Sequence, residues 1–217
     1  MDKFLSVMRR LGPAVLGIIL WCSAAGAGLI INTGQPTGPD AELQFLNIQY
    51  FSGLGGRIYL DKAYDLDRLE GWIRRDLTDA GISCLARLYH DGSATSNDYA
   101  PGALIAQYAV SVNPAFVENW YGASFSPLRL AGGWYWLSFE VDNSTQYFGG
   151  SFRGRSPQPL GLEAKTWQGI DGPWYRQDDL DLGYRVYGTP VPLPGAVWLL
   201  GAGLLGLAGG GRLLRKP

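Results

Sequence analysis

Alternating apolar and polar residues define the strand candidates of this chain. Residues 82–90 and 104–112 both alternate with a period of two. This period places one face of an extended segment in a core and the other in solvent. The apolar faces expected to be buried are Ile82, Cys84, Ala86 and Leu88, and then Leu104, Ala106, Tyr108, Val110 and Val112.

The segment 132–141 is the strongest strand candidate, because it is bulky on both faces. It predicts either a central strand covered on both sides or a strand with an aromatic outer surface. Trp134 and Trp136 are expected to pack in the core or between sheets. Segments 162–167 and 180–187 are predicted as closing strands, and Leu182, Tyr184 and Val186 share one face of the last.

Short strands separated by turn signals about every ten residues, without a helical repeat, favour an all-β antiparallel sandwich. The composition agrees, with 31 Gly, 12 Tyr and 8 Trp in 217 residues. A parallel α/β fold would need crossover helices, for which the sequence shows no pattern. The formal charge of −1 gives no sign of the basic surface that nucleic-acid binding would need, so no nucleic-acid partner is expected.

The first 27 residues have the pattern of an export signal. Basic residues precede the apolar run 11–20, and Ala25-Gly26-Ala27 fits a small-residue cleavage site. A permanent anchor is the alternative. A lipoprotein signal at Cys22 is disfavoured, because Trp21 stands where a small residue is needed. Cleavage after Ala27 would leave Cys84 as the sole cysteine, expected to be a small buried hydrophobe.

The C-terminal segment has three parts in a fixed order. Val191, Pro192, Leu193 and Pro194 come first, followed by an uncharged run at residues 196–208. At ~1.5 Å per residue this run is shorter than a ~30 Å hydrocarbon core, and flanking residues would complete a span. The basic stop consists of Arg212, Arg215 and Lys216. A buried helix that ends the fold is the alternative.

This tail resembles the PEP-CTERM sorting signal of Gram-negative bacteria. The matching residues are the Pro motif, the Ala-Val-Trp-Leu-Leu-Gly run that contains Trp198, and the basic end; Leu193 stands where the family often has Glu. The resemblance implies that the secretion machinery exports the chain and the tail anchors the precursor in the inner membrane. An exosortase would then cut near the Pro motif and pass the protein to the cell surface.

Segments 85–92, 101–106 and 130–138 are similar to the jelly-roll domains that precede such tails. The expected fold is a jelly-roll-like β-sandwich between an N-terminal signal helix and a C-terminal transmembrane helix. The expected organisation is a signal peptide at 1–27, a flexible leader at 28–40, the sandwich at 41–188 and the sorting tail at 189–217.

The residues that carry catalysis in enzymes form no recognisable motif in this chain. His90 is the only histidine and is expected at the surface. Cys84 lies six residues from His90, or ~20 Å along a strand, which excludes a Cys–His pair. No nucleophile elbow, phosphate loop or zinc motif occurs. The chain is therefore expected not to be an enzyme.

Two acidic loops leave open a weak possibility of calcium binding, although no cofactor or metal is expected. The first contains Asp91 and Asp98, and the second contains Asp178, Asp179 and Asp181. Calcium takes six to eight oxygen ligands, but neither loop has EF-hand spacing. Asp is also an ordinary turn residue, so solvated turns are the simpler interpretation.

The abundant aromatic residues suggest a second function. Trp167, Trp174 and Tyr175 are candidates for stacking on a sugar, because the last two lie beside a Gly-Pro loop. The main hypothesis is a non-enzymatic protein, structural or adhesive, in the envelope or in the exopolysaccharide matrix of a biofilm. The alternative is a carbohydrate-binding module that uses exposed Trp and Tyr, with extracellular polysaccharide as its partner.

Overall fold

The computed structural model describes residues 27–36, 43–46, 53–76, 78, 82–92, 100–141, 150–153, 162–166, 173–177, 180–192, 195 and 202–203. The elements assigned in these residues are twelve β-strands. In chain order they are β1 (Gly28–Asn32), β2 (Leu43–Leu46), β3 (Gly53–Leu60), β4 (Tyr64–Arg75), β5 (Ser83–Asp91), β6 (Pro101–Ser111), β7 (Asn119–Leu130), β8 (Gly133–Glu140), β9 (Gly150–Arg153), β10 (Glu163–Thr166), β11 (Trp174–Arg176) and β12 (Tyr184–Pro190). The all-β prediction is confirmed, and the expected signal and transmembrane helices fall almost entirely outside the described residues.

The strands form two antiparallel sheets of six strands each. Sheet I has the order β1-β12-β4-β9-β2, and β7 pairs with β4 as well. Sheet II has the order β11-β10-β3-β8-β5-β6. Two strands share one edge of β4: β12 pairs with its residues 64–71, and β9 pairs with its residues 73–75. On the other edge of β4, β7 pairs with residues 64–73.

The inner faces of the two sheets contribute to one hydrophobic core. Phe139 of β8 stacks on Tyr184 of β12 with ring centroids 5.9 Å apart. The Tyr184 hydroxyl donates to the carbonyl oxygen of Leu54 in β3 at 3.3 Å. Tyr108 of β6 and Phe125 of β7 form a second stack with centroids 3.9 Å apart. Because each contact joins residues of different sheets, these aromatic rings hold the sheets together.

The predicted buried faces are confirmed in β5 and in the segment that leads into and begins β12, but Ile82, predicted on the first of these faces, precedes β5 and is 45% exposed. The core residues on these faces are Cys84, Ala86 and Leu88, and then Leu182, Tyr184 and Val186. Burial raises the pKa of the Cys84 thiol to about 12. Cys84 is thus a small buried hydrophobe, as predicted, and not a reactive thiol.

Strand β6 differs from the predicted alternation at its first half. Leu104 is 46% exposed, whereas the neighbouring Ile105 packs against the core. The cause is a register shift, since Leu88 pairs with Ala106 but Tyr89 pairs with Leu104. The extra residue in β6 moves Leu104 to the opposite face, and a second register shift follows between the Tyr89–Leu104 and Asp91–Pro101 pairs.

The segment expected to be a flexible leader contains β1. Gly28–Asn32 pairs with β12 at the edge of sheet I. Ile30 and Ile31 pack against the core. The Thr33 hydroxyl donates to the carbonyl oxygen of Leu182 at 2.9 Å and accepts the Tyr184 N–H at 2.7 Å. The ordered sandwich therefore begins before residue 41, because this short β-branched run supplies an edge strand.

The two ends of the sandwich carry different connections. At one end, residues 61–63 join β3 to β4, residues 131–132 join β7 to β8, and β12 finishes at Pro190. We call this the exit end, because the chain leaves the sheet there. At the other, the far end, residues 112–118 join β6 to β7, with the Phe116 N–H bonded to the carbonyl oxygen of Arg75 at the end of β4.

Candidate functional site

The outer face of sheet II carries most of the chemistry in the described residues. Tyr135, Leu137 and Phe139 of β8 enter the core. The even-numbered positions of β8, from 134 to 140, therefore face outward. The residues of β3 and β5 that pair directly with these positions face outward with them. These outward side chains are Arg57, Tyr59, Arg87, Tyr89, Asp91, Trp134, Trp136, Ser138 and Glu140.

Tyr59 and Trp134 form an exposed aromatic pair near the exit end. They are directly paired between β3 and β8, and their side chains are 53% and 45% exposed. Their ring centroids lie 4.8 Å apart with 47° between the planes. The Arg57 guanidinium carbon lies 4.2 Å from the Trp134 ring centroid. We call Arg57, Tyr59 and Trp134 the aromatic patch.

The aromatic patch is held in place by Asp91. One carboxylate oxygen accepts from Arg57 Nη2 at 2.5 Å, and the other accepts from Trp136 Nε1 at 3.0 Å. Both partners of the Arg57–Asp91 pair are largely covered, at 13% and 15% side-chain exposure. Charge-assisted bonds of this kind fix an arginine side chain, so the guanidinium is oriented before any ligand arrives.

A buried polar cluster continues from the patch along the same face. Glu140 is fully buried and accepts from the Tyr89 hydroxyl at 2.5 Å and from Arg87 Nη1 at 3.2 Å. The Ser138 hydroxyl donates to it at 2.5 Å, and Gln107 of β6 accepts from Arg87 Nη2 at 2.9 Å. Burial, and then the Glu140 charge, raise the pKa of Tyr89. The cluster braces β5, β6 and β8, since its carboxylate is bonded and shielded from solvent.

Glu163 is a second buried carboxylate, and it accepts hydrogen bonds from the backbone of the segment before β12. It accepts the backbone N–H groups of Asp181 at 2.5 Å and Leu182 at 2.7 Å. Burial raises its pKa from 4.5 to about 7, against the lowering effect of these N–H donors. Glu163 thereby joins β10 to the segment that leads into β12, where Asp181 has a φ of 47°.

The outer face of sheet I holds a third group around a nearly buried carboxylate. Glu70 accepts from Arg68 and, at 3.0 Å, from the Tyr187 hydroxyl. Arg185 lies with its guanidinium carbon 3.9 Å from the Trp120 ring centroid and Nη1 4.0 Å from Glu70. The group contains two arginines and one glutamate, so Glu70 is ion-paired and the group keeps a net charge of +1.

The candidate sugar-contact residues do not form one surface. Trp174 is half-buried and packs edge-on against Tyr89, with its ring over Gly53 and Gly55. Tyr175 is 47% exposed and neighbours Trp174 in β11, so the two side chains point to opposite faces. Trp167 lies outside the described residues.

The predicted sorting tail begins inside β12, which includes Thr189 and Pro190, and of the motif Val191 to Pro194 only Val191 and Pro192 are described. The remaining motif and anchor residues lie outside the described residues: Leu193, Pro194, Trp198, Arg212, Arg215 and Lys216. Within the described part of the chain, no helix is long and apolar enough to cross a membrane.

The calcium alternatives are only partly within the described residues. Asp91 is occupied by Arg57 and Trp136, and the backbone of Asp181 is bonded to Glu163. Asp98, Asp178 and Asp179 lie outside. Among the residues that the structure describes, no group of three or more His, Cys, Asp or Glu is placed to hold a metal ion.

From the sequence, Trp134 and Trp136 were both predicted to pack in the core or between the sheets, but only Trp136 is buried. Trp136 packs with Tyr89, Leu162 and Trp174, which come from distant segments. Tyr59 was not singled out, although it occupies an outward position of β3. Comparison with protein-family models, curated proteins and solved structures found no match to this chain.

Proposed function

We propose that this chain is an exported, surface-sorted protein of a Gram-negative bacterium, non-enzymatic, with a structural or adhesive role in the envelope or exopolysaccharide matrix. The observation that carries the proposal is the order of the tail. A Pro-containing motif, an uncharged apolar run and a basic end follow the last strand of the sandwich. This order resembles the PEP-CTERM signal, for which the partners are the secretion machinery and an exosortase.

The strand order supports a jelly-roll-like sandwich as the exported domain. Without the short strands β2, β9, β10 and β11, eight strands remain, in the orders β1-β12-β4-β7 and β3-β8-β5-β6. Numbered along the chain, these orders are 1-8-3-6 and 2-7-4-5, the arrangement of two Greek keys in a jelly roll. Cys84 is a free, buried cysteine, so it gives such a domain no disulfide for stability outside the cytoplasm.

The direct test is the intact mass of the protein recovered from the surface fraction of its native host. We expect a mass that lacks the residues up to about Ala27 and those that follow the Pro192–Pro194 region. A mass that retains Trp198 through Lys216 would show that the tail is a permanent anchor, and the sorting proposal would be abandoned.

Glycan binding is the second candidate function, and the exposed Tyr59–Trp134 pair favours it. Exposed aromatic rings stack on the apolar faces of sugars, and Arg57 lies beside them to bond hydroxyl groups. The 47° between the rings departs from a flat platform. Binding of the mature domain to a glycan array, lost in Trp134→Ala and retained in Tyr175→Ala, would support this function.

A further inference from the structure

Both routes by which the chain leaves the sandwich lie at the exit end. At one side, Gly28 of β1 pairs with Gly188 of β12, two residues before Pro190. At the other, Pro190 pairs with Tyr64 beside the connection 61–63. The segments that precede Gly28 and follow Pro192 therefore leave from the same end. These are the two segments whose sequences have membrane-targeting patterns.

The exit end also carries exposed aromatic and aliphatic side chains. Tyr59 lies just before the connection 61–63, and Trp134 lies just after the connection 131–132. Leu29 in β1 is 48% exposed, and the exposed Lys62 stands beside the exposed Asp61, so this connection adds no net charge. Trp and Tyr concentrate where membrane headgroups meet acyl chains.

We propose that the exit end is a membrane-facing surface, and that Leu29, Tyr59 and Trp134 contact the headgroup region of the bilayer in the anchored precursor. The inference rests on the proposed function, because the tail must hold the precursor in the membrane. Its occupant is a lipid surface.

The short connection between the sandwich and the apolar run of the tail supports a lipid surface as the binding partner of the exit end. Val191 is hydrogen-bonded to Ala63 at 2.9 Å, so the free connection begins only after it. Five residue steps separate Val191 from the apolar run at Ala196, which span at most ~18 Å when fully extended. A bilayer adds a polar layer of about 5–8 Å on each side of its hydrocarbon core. The exit end is thus held at or just above that layer.

The far end of the sandwich also has exposed apolar side chains, but the tail does not hold them near the bilayer. Phe116 and Val117 are 62% and 42% exposed there. The twelve residues of β4 run from one end to the other, a distance of about 40 Å at ~3.3 Å per residue. The connection reaches at most ~18 Å, which is less than the distance between the two ends. The domain therefore cannot turn over and put the far end, instead of the exit end, against the bilayer. Val117 is therefore a matched control for Tyr59.

The experiment places a fluorescent thiol label at each end of the sandwich in residues 28–217, the precursor without its signal peptide. Tyr59→Cys and Val117→Cys are made separately in this chain, in which the buried Cys84 stays unlabelled. Each protein is reconstituted into phosphatidylcholine–phosphatidylglycerol vesicles that contain headgroup spin-labelled lipid, which quenches nearby fluorophores. A Leu200→Lys/Leu204→Lys variant tests the tail separately by vesicle flotation.

We expect flotation of the parent precursor, loss of flotation in the Leu200/Leu204 variant, and loss of fluorescence at position 59 without loss at position 117. Equal fluorescence at both positions in chains that float through the tail overturns the membrane-facing surface and leaves the tail intact. Flotation of the Leu200/Leu204 variant like the parent removes the tail anchor, and the inference fails with it. A label at position 59 that responds to purified host exopolysaccharide and not to lipid overturns the inference in favour of glycan binding.

Discussion

Val191 donates its backbone N–H to the carbonyl oxygen of Ala63 at 2.9 Å. This bond extends the pairing of β12 with β4 one residue beyond the Pro190–Tyr64 pair. The first residue of the proposed sorting motif is therefore bonded to the sandwich, with no linker between them. A processing enzyme that acts on this motif would meet Pro192 directly after a hydrogen-bonded residue of the folded domain.

Replacement of both Pro192 and Pro194 by Ala is expected to leave the precursor in the membrane with its tail uncut. Proline fixes φ and lacks an N–H, so neither residue can donate a hydrogen bond to the strand ladder. Immunoblots of membrane and surface fractions, with intact masses, measure the outcome. Pro127→Ala, at an exposed position of β7, is the control and should be processed normally. Normal release of the double variant would contradict the sorting proposal.

Glu163 predicts a fall in stability between about pH 4.5 and pH 7. Its pKa is raised from 4.5 to about 7 by burial, so the folded state holds the proton more tightly than the unfolded chain. Stability is therefore highest when both states are protonated and declines as pH rises through this window. A shift of this size corresponds to about 3 kcal/mol in the free energy of unfolding.

Urea unfolding across this pH range measures the effect. Glu163→Gln should remove this part of the decline, because its side chain does not titrate. Glu118→Gln, which changes a carboxylate paired with Arg74 nearer the surface, should keep it. The two profiles must be compared as differences from the parent protein, since other carboxylates also titrate below pH 5. Parallel profiles for Glu163→Gln and the parent would contradict the prediction.

The sequence predicts the faces of β5 and β12 because each keeps a strict period of two over a buried surface. It does not predict the face of Leu104, which depends on a bulge against β5. The aromatic patch was missed for a similar reason. Trp134 and Trp136 share one face of β8, and only Trp136 is covered by residues of distant segments. Alternation predicts that both tryptophans point to the same face. It does not predict which of them is buried, because burial depends on tertiary contacts.

Tyr89→Phe is expected to lower the free energy of unfolding by about 1.5–3 kcal/mol, the range for hydrogen bonds to charged groups. The change removes the hydroxyl that donates to Glu140 at 2.5 Å and leaves a fully buried carboxylate oxygen with one donor fewer. Urea midpoints at constant slope measure the loss. Tyr175→Phe is the matched control, because Tyr175 is 47% exposed and should change stability little. Equal midpoints for the two variants would contradict a stabilising role for the cluster.

Gly122→Ala is expected to separate β7 from β4. Gly122 pairs with Glu70, and a Cβ atom there would lie 2.0 Å from the carbonyl oxygen of Leu69 and 2.7 Å from Glu70 Cγ. Since one of these atoms belongs to the backbone of a central strand, the strands must move, at a cost of about 1–3 kcal/mol or more. Gly28→Ala has no atom within 4 Å of the new Cβ and should be neutral or stabilising, through a less flexible unfolded chain. Thermal unfolding of both variants gives the comparison, and a Gly122→Ala protein as stable as Gly28→Ala would contradict the close approach of β4 and β7.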